Sequence, residues 1–335
     1  MSVFVIAEAG VNHNGDLKTA LKLIDTAKDA GCDAVKFQTY KAHKLVSDHT
    51  PKVKYQVQGS SDMETQYEML KRLELGPEEH KVLFDYCRSN EITFLSTPFD
   101  EESADMLQDL GVGIFKIPSG EITNKQLIEH IAKKKKPIIL STGMSTMDEV
   151  KEALDWIYAA GNRELTLLHC TSNYPAVLSD VNLKAMCTMK EKFHTEIGYS
   201  DHTKGIEIPV AAVALGATVI EKHFTLDRNM NGPDHKASIE PDELRTMVRY
   251  IRNVEMTIGN GIKLPAENEM EVRNAARRSI FTCTAIKAGQ IILPGMITVK
   301  RPGTGLSPKF YDSIINKTAR WDLPADYTIQ MSDLL

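Results

Sequence analysis

Residues 196–238, EIGYSDHTKGIEIPVAAVALGATVIEKHFTLDRNMNGPDHKAS, hold the pattern that decides the fold. Two short strand-like runs, EIGYSDH and TVIEKHF, each carry a histidine near their end. The run IEIPVAAVALGA between them has the small and apolar content of a packed crossover helix. Parallel strands joined in this way would place His202 and His223 side by side at their carboxyl ends, where α/β proteins carry their chemistry.

Two adjacent imidazoles suggest a divalent metal site. A single histidine here would more simply be a satisfied polar residue that closes a strand. Two in equivalent positions, beside Asp201 and Lys222, favour a pair of ligands. Because two protein ligands leave positions for water or substrate, a catalytic Mn²⁺ or Mg²⁺ fits better than a closed structural zinc site.

The same alternation of strand-like and helix-like segments repeats along the chain from residue 3 to about residue 258. Eight short apolar runs alternate with amphipathic segments: VFVIAEAG, AVKFQTY, TFLSTPF, IFKIPSGE, PIILSTG, LTLLHCT, EIGYSDH and VIEKHF. Eight βα units in about 250 residues predict a (β/α)8 TIM barrel. An open doubly wound sheet is the competing prediction, but the first run is not followed by a Gly-rich nucleotide-binding turn.

Two features interrupt this alternation. The gap from Lys41 to Glu91 is too long for one helix, and its middle, HTPKVKYQVQGSSDMETQ, predicts a loop that shapes or covers the site. From residue 280 the pieces become short, which predicts a compact β-rich domain of about 60 residues. We therefore expect a catalytic barrel at 1–262, a linker at 263–279 and the small domain at 280–335.

The composition excludes several classes of protein. The 335 residues are 42% hydrophobic and 25% charged with a net charge of −5, so we expect no bulk affinity for nucleic acid. Five cysteines without metal-ligand spacing favour reduced thiols. Because there is neither a signal-peptide layout nor an apolar run of membrane-spanning length, we expect a cytoplasmic protein without a membrane partner.

Polar residues follow every predicted strand, at the ends where barrel enzymes place their catalytic groups. They are Glu8, Asn12, Lys36, Gln38, Ser96, Thr97, Lys116, Ser119, Glu121, Ser141, Thr142, His169, Thr171, Tyr174, Ser200, His202, Lys222 and His223. Two lysines with several hydroxyls suit a phosphate or carboxylate, because these donors replace the hydration of an anion. The alternatives are structural ion pairs of the lysines with Glu8 and Glu121, or a Schiff-base lysine as in class I aldolases.

Ten motifs in series carry a resemblance: AEAGVNHNGDL, AVKFQTY, FLSTPFD, FKIPSGE, ILSTGM, LLHCTSNYP, GYSDHT, VIEKHFTLD, GPDHKAS and VKRPGTG. The series resembles the sialic acid synthase family, including its N-acetylneuraminate, legionaminate and spore-coat polysaccharide members, over nearly the whole chain. The resemblance implies the barrel followed by an antifreeze-like (SAF) domain, in a domain-swapped homodimer where each small domain caps the partner's barrel. A non-enzymatic carbohydrate-binding protein is a further alternative, but it would not need the ring of Lys, Glu and His.

The reaction that the resemblance implies condenses phosphoenolpyruvate with the open-chain form of an N-acylated mannosamine-type sugar. The products would be a nine-carbon 2-keto acid and phosphate, with cleavage of a C–O bond. The acceptor would be N-acetylmannosamine or 2,4-diacetamido-2,4,6-trideoxymannose, giving N-acetylneuraminate or N,N'-diacetyllegionaminate. The stretches YPAVLSDVNLKAM and GPDHKASIEP resemble the legionaminate-type members slightly more than the others.

Residue roles follow from the matching motifs. Phosphoenolpyruvate would be surrounded by Glu8, Lys36, Thr97, Lys116, Ser119, Ser141 and Ser200, and the sugar by Gln38, Tyr174, Asp234 and, from the partner's RPGTG motif, Arg301. His202 and His223 would hold Mn²⁺, with Mg²⁺ or Co²⁺ as alternatives. Glu121 would orient or deprotonate the attacking water while Lys36 and Lys116 stabilise the departing phosphate. Ser172 and Asn173 stay unassigned, because some relatives carry Asn at the position of Ser172.

Overall fold

The computed structural model describes residues 2–52 and 64–335. The chain divides into two compact units, Met1–Gly259 and Asn260–Leu335. Much of the loop predicted at 49–66 falls on residues 53–63, which lie outside the described residues. The division of the chain into a barrel, a linker and a small domain at the boundaries given above stays a prediction.

Eight parallel strands form the centre of the first unit. They are β1 (Phe4–Gly10), β2 (Ala34–Thr39), β3 (Thr93–Pro98), β4 (Phe115–Ile117), β5 (Ile138–Ser141), β6 (Leu165–Cys170), β7 (Glu196–Asp201) and β8 (Val219–His223). Their order in the sheet is β3-β2-β1-β8-β7-β6-β5-β4, and β3 also contacts β4, so the sheet curves into a nearly closed barrel. The (β/α)8 prediction is confirmed, because each strand lies within one of the eight apolar runs.

Helices connect these strands. In the described part of the first unit they are α1 (Leu17–Asp29), α2 (Ala42–Leu45), α3 (Gln66–Leu73), α4 (Pro77–Ser89), α5 (Glu101–Leu110), α6 (Lys125–Lys133), α7 (Met147–Ala159), α8 (Lys184–Phe193), α9 (Glu207–Ala214) and α10 (Pro241–Ile258). Side-chain caps mark several starts: Asp16 accepts a hydrogen bond from the Thr19 amide at 2.9 Å, and Thr146 forms a capping box with Glu149. The apolar faces of the helices other than α2 and α3 pack against the outside of the barrel in one continuous core, and α2 and α3 form a separate cluster.

The second unit is small and contains short strands. It comprises α11 (Glu269–Ala276), the antiparallel strands β9 (Ser279–Thr282) and β10 (Ile297–Lys300), and α12 (Tyr311–Ile314). Isolated bridges such as Phe281 with Thr328 and Ile286 with Leu323 extend the pairing. The unit has its own core, so the expected compact β-rich domain is present. Within the described residues, no helix combines the length and the apolarity that crossing a membrane requires.

Candidate active site

Two layers of side chains fill the inside of the barrel. The lower layer, which we call the apolar plug, consists of Ile6, Ala34, Leu95, Ile139, Leu168 and Val219. Two residues further along the same strands come Glu8, Lys36, Thr97, Ser141, Cys170 and Glu221. Side chains two positions apart on a strand point to the same face, so these residues form the next interior layer. The polar layer therefore lies directly on the plug.

Strand β7 contributes a glycine at the level of the plug because the space there is filled. A Cβ atom at Gly198 would lie 2.4 Å from the carbonyl oxygen of Val219 and 2.5 Å from Cδ2 of Leu168. A larger residue would push β7 away from both neighbouring strands. Ser200, two residues further on, donates a hydrogen bond of 3.1 Å to Oε1 of Glu221, which the close approach of the strands makes possible.

A cavity of about 820 Å³ opens above the plug at the carboxyl ends of the strands. All predicted substrate, metal and catalytic residues of the barrel line it: Glu8, Lys36, Gln38, Thr97, Lys116, Ser119, Glu121, Ser141, Tyr174, Ser200, His202, His223 and Asp234. Ser172 and Asn173 line it too. Arg301, the remaining predicted site residue, belongs to the second unit, and its role stays a prediction.

Glu221 is a central residue of the site, and the sequence reasoning missed it. Its Oε2 lies 3.6 Å from Nζ of Lys36 and 3.7 Å from Nζ of Lys116. Lys36 also pairs with Glu8 at 2.8 Å, whereas Glu121 accepts a hydrogen bond from Asn124 at 2.7 Å. The ion pair considered for Lys36 and Glu8 is thus present, but the structure pairs Lys116 with Glu221, because Glu221 shares the interior layer.

Hydroxyl groups complete the surroundings of the two lysines. Lys36 donates to Oγ1 of Thr97 at 3.0 Å, and Lys116 donates to Oγ of Ser141 at 2.8 Å. Ser119, in a short 3-10 helix after β4, accepts a hydrogen bond from the Gly143 amide at 2.9 Å. Ammonium groups and hydroxyls therefore face one cavity, which is an arrangement suited to a phosphate or carboxylate.

Burial and the neighbouring charges shift the pKa values of this cluster in opposite directions. Burial raises the pKa of Glu8 to about 7, although Lys36 acts to lower it. For Glu221 burial works in the same direction, but the ammonium groups of Lys116 and Lys36 prevail and hold its pKa at about 2. Burial lowers the pKa of Lys116, whereas for Lys36 the attraction of Glu221 and Glu8 outweighs burial and raises it. The cavity therefore combines a firmly ionised Glu221 with a Glu8 that titrates near neutrality.

The two histidines stand next to each other, as the sequence predicts. Their ring centroids are 5.5 Å apart, and the ring of Tyr174 lies 4.1 Å from that of His202. Nδ1 of His202 is 2.9 Å from the carbonyl oxygen of Thr171. Since a carbonyl only accepts, Nδ1 carries a proton, which in the neutral ring leaves the lone pair on Nε2. The buried Nδ1 of His223 has no hydrogen-bond partner in the described part of the chain.

These histidines fit a divalent metal ion. A buried imidazole nitrogen without a protein partner is expected where a ligand completes the site. A second imidazole oriented by a backbone carbonyl is the usual outer contact of a metal-binding histidine. No cluster of three or more His, Cys, Asp or Glu side chains suited to a metal occurs in residues 2–52 and 64–335. The histidine pair would therefore leave most coordination positions to water or substrate.

Several members of the predicted ring point away from the cavity. Ser96 bonds to Thr39, Thr142 donates to the Leu168 carbonyl, and His169 contacts the Val181 carbonyl. Lys222 pairs with Asp201 at 2.5 Å on the outer face of β8. The alternation along β8 explains the error, because an inward His223 requires an inward Glu221 and an outward Lys222. That signal was present in the sequence.

A polar network holds the loop that carries Asp234. Asn12 donates through Nδ2 to the Phe224 carbonyl at 2.8 Å and to Oγ of Ser238 at 2.9 Å. Ser238 in turn donates to the backbone carbonyl of Asp234 at 2.7 Å. Burial raises the pKa of Asp234 to about 6. Asn12 thus positions the site without lining the cavity.

Comparison with known proteins gives the family. The NeuB family matches residues 23–263, and the SAF domain matches residues 277–335. The chain belongs to the NeuB family. The match to the SAF domain confirms the predicted antifreeze-like domain after the barrel.

Relatives of this NeuB family chain are enzymes. It is 49% identical over 328 residues to N,N'-diacetyllegionaminic acid synthase of Campylobacter jejuni, covering 97% of this chain and 98% of the relative. It is 48% identical to the synthase of the same name from Legionella pneumophila, covering 98% and 94%. The crystal structure of N-acetylneuraminic acid synthetase from Leptospira borgpetersenii matches with a TM-score of 0.73 and 39% identity, covering 81% and 90%. The chain is an enzyme of the sialic acid synthase type.

Proposed function

We propose that this enzyme condenses phosphoenolpyruvate with the open-chain form of an N-acylated mannosamine-type sugar. The observation that carries the proposal is the cavity in which Lys36 and Lys116, bridged by Glu221, lie beside the adjacent histidines His202 and His223. One side suits an anionic substrate and the other an electrophilic carbonyl. The two N,N'-diacetyllegionaminic acid synthases described above favour N,N'-diacetyllegionaminate as the product, with N-acetylneuraminate as the alternative.

Phosphoenolpyruvate would bind against the polar layer. Lys36 and Lys116 offer ammonium donors, and Ser119, Ser141 and Thr97 offer hydroxyls on the same cavity wall. Ser200 is held by Glu221 and faces the same space. Donors fixed in this way need little reorganisation as charge moves to the leaving phosphate, so they would stabilise that charge throughout the reaction.

The sugar would bind above, against Gln38, Tyr174 and Asp234. His202 and His223 would hold a divalent metal, Mn²⁺ first and Mg²⁺ or Co²⁺ as alternatives. Such an ion supplies Lewis acidity toward a carbonyl oxygen. Tyr174, packed on the ring of His202, would fix the direction from which the aldehyde approaches.

The bond changes in this proposal balance. C3 of phosphoenolpyruvate bonds to the aldehyde carbon of the sugar, and the aldehyde oxygen takes up a proton. Water then adds at C2, which has become electron-poor, to give a tetrahedral intermediate. Its C2 hydroxyl passes its proton to the departing phosphate as the C2–O bond to phosphate breaks, which leaves the 2-keto acid. Glu121, at the cavity rim with its Oε2 fixed by Asn124, is our candidate to orient that water and accept its proton.

Arg301 and the assembly complete the proposal. We propose a domain-swapped homodimer in the cytoplasm, with Arg301 of the partner subunit reaching the N-acyl group of the sugar. Arg301 is exposed within the second unit, so its guanidinium is open to a contact outside its own domain.

A Schiff-base aldolase is the second candidate, because one observation favours it. Burial lowers the pKa of Lys116, and a neutral amine is the form that attacks a carbonyl. Such an enzyme would be trapped by borohydride in the presence of substrate and would ignore chelators.

The deciding experiment measures phosphate release from phosphoenolpyruvate with Mn²⁺, offering each sugar separately with and without EDTA. We expect release that requires both the metal and a sugar. Condensation of pyruvate with a sugar that is insensitive to EDTA and abolished by borohydride would favour the aldolase instead, because a Schiff base needs a keto group that phosphoenolpyruvate lacks. Absence of release with both sugars would contradict the proposed synthase.

A further inference from the structure

One side of the active-site cavity is apolar, and the proposed chemistry makes no use of it. Leu45, Val46, Met69, Leu70, Leu73 and Phe99 line this side, which we call the apolar wall. The wall comes from α2, α3 and the residue that follows β3. The polar layer described above lies on the barrel strands that face the same cavity.

The apolar wall is fixed from behind. Its residues belong to a buried cluster with Tyr40, whose hydroxyl donates to the Leu70 carbonyl at 3.1 Å. The ring of Tyr40 meets that of Phe99 edge-on with centroids 6.1 Å apart. Glu74, just after α3, accepts hydrogen bonds from the Ala42 amide at 3.1 Å and from Lys41 at 3.0 Å. The two helices are therefore tied together, so the wall is preformed.

The apolar wall adjoins the part of the cavity assigned to the sugar. Tyr40 follows β2 directly, two residues after Gln38. Burial raises the pKa of Tyr40, and the nearby carboxylates of Glu74 and Asp234 add to this effect. Asp234 and Gln38 are the proposed contacts of the sugar, so a sugar bound there places its remaining groups near the wall.

We propose that the apolar wall selects the acceptor sugar, and that it selects a 6-deoxy sugar with two N-acyl groups. This inference rests on the proposed function. The two candidate sugars differ at C4 and C6, where one carries an acetamido group and a methyl group and the other carries two hydroxyls. The C6 methyl group and the methyl of the C4 acetamido group gain hydrophobic free energy from contact with Leu45, Val46 and Met69. Hydroxyls at C4 and C6 would lose their hydration there without a hydrogen-bond partner. An unpaired polar group in an apolar pocket is rejected by roughly 10- to 100-fold.

The experiment compares kcat/KM for 2,4-diacetamido-2,4,6-trideoxymannose and N-acetylmannosamine in the full chain with phosphoenolpyruvate and Mn²⁺. We expect the wild type to prefer the deoxy sugar by at least about tenfold. Leu45→Asn and Val46→Thr replace methyl groups with polar ones at almost constant volume. Both should reduce the preference by about tenfold, mainly by raising the KM of the deoxy sugar, and leave the KM of phosphoenolpyruvate unchanged.

Matched controls are Leu215→Asn and Val82→Thr, which make the same changes at exposed positions outside the cavity. They should leave the ratio unaltered. An unchanged ratio in a folded Val46→Thr variant, or a wild type that prefers N-acetylmannosamine, would overturn the role of the wall while leaving the synthase proposal intact. Absence of phosphate release with both sugars would instead remove the synthase proposal, and the inference about the wall with it.

Discussion

The buried charges on the two faces of β8 are paired in different ways. On the outer face, Lys222 donates to Asp201 at 2.5 Å and to the Thr203 carbonyl at 2.6 Å, and Asp201 also accepts a hydrogen bond from the hydroxyl of Tyr199. On the inner face, Glu221 is shared by two lysines at 3.6 and 3.7 Å.

The inner face is less completely paired than the outer face. Buried Nδ1 of His223 has no hydrogen-bond partner among the described residues, whereas Lys222 has two short contacts. A satisfied buried pair costs desolvation and serves the packing of the strands. Loosely paired groups keep capacity for a ligand. The comparison teaches that incomplete pairing, more than charge or burial, marks the active site in this barrel.

The largest effect should come from breaking the inner face with Glu221→Gln. Both ammonium groups would lose their shared carboxylate, and the pKa of Lys116, already lowered by burial, would fall further. We expect kcat to fall on the order of 1000-fold, because prepositioned charge stabilises the departing phosphate. Steady-state phosphate release measures it. The control is Glu196→Gln, at the exposed start of the neighbouring strand β7. Turnover of Glu221→Gln within tenfold of wild type would contradict the prediction.

Breaking the outer face with Lys222→Met should act on stability. Asp201 would stay buried without its cation, so we expect the free energy of unfolding to fall by about 3 kcal/mol. Urea denaturation measures this change. The double variant Asp201→Asn, Lys222→Met removes both charges and should recover part of the loss. If the folded Lys222→Met enzyme lost turnover as severely as Glu221→Gln, the division between the two faces would be wrong.

Glu121 lies in the active-site cavity after β4, away from β8, and tests the proposed base. Glu121→Gln keeps the shape and the contact with Asn124 but removes the base. We expect kcat to fall about 100-fold while the KM of phosphoenolpyruvate changes little. Glu152→Gln, on the exposed side of α7, is the matched control. Near-normal turnover in Glu121→Gln would remove this residue as the acid or base.

His13 offers a smaller test of a buried polar group that serves structure. Burial lowers its pKa from 6.5 to about 4, and its Nδ1 accepts a hydrogen bond from the Gly15 amide at 2.9 Å. Because the unfolded chain binds the proton more tightly, the contribution of His13 to stability is present above pH 6.5 and is lost as the pH falls toward 4. His13→Asn keeps an acceptor without this titration.

The measurement is urea denaturation of wild type and His13→Asn at pH 8 and pH 5. The wild type should lose about 2 kcal/mol more than the variant between these values. Equal losses would show that His13 is protonated in the folded protein. Turnover per folded molecule at pH 8 should be the same in both proteins, which separates this residue from those of the inner face.

The sequence predicts the fold well because the barrel repeats one simple pattern. Apolar runs of strand length recur eight times, and each becomes a strand. The position of the site follows, since the carboxyl ends of parallel strands meet at one mouth. His202 was predicted from its position at the end of a strand-like run and Asp234 from its motif, and both line the cavity.

The pairing of charges was harder to predict. Alternation along β8 would have identified Glu221, but its sharing between Lys36 and Lys116 depends on distances across the barrel that no local pattern contains. The apolar wall is a further example. Leu45 and Leu73 are ordinary apolar residues of helices, and only the way α2 and α3 pack shows that they line the cavity.

The apolar plug gives the barrel a closed floor. Val219, with Phe4 and Ile114 beneath, faces a separate depression at the other end of the strands, and the residues that line it are all different from those of the active site. Within the described residues, the active-site cavity therefore opens at the carboxyl ends of the strands and not through the plug. Whatever binds against Lys36 and Lys116 has to arrive before anything that fills the space above it, and it leaves only after the mouth is clear. If the two substrates bind as proposed, the floor would impose an order of arrival on them, and initial-rate kinetics should show that order.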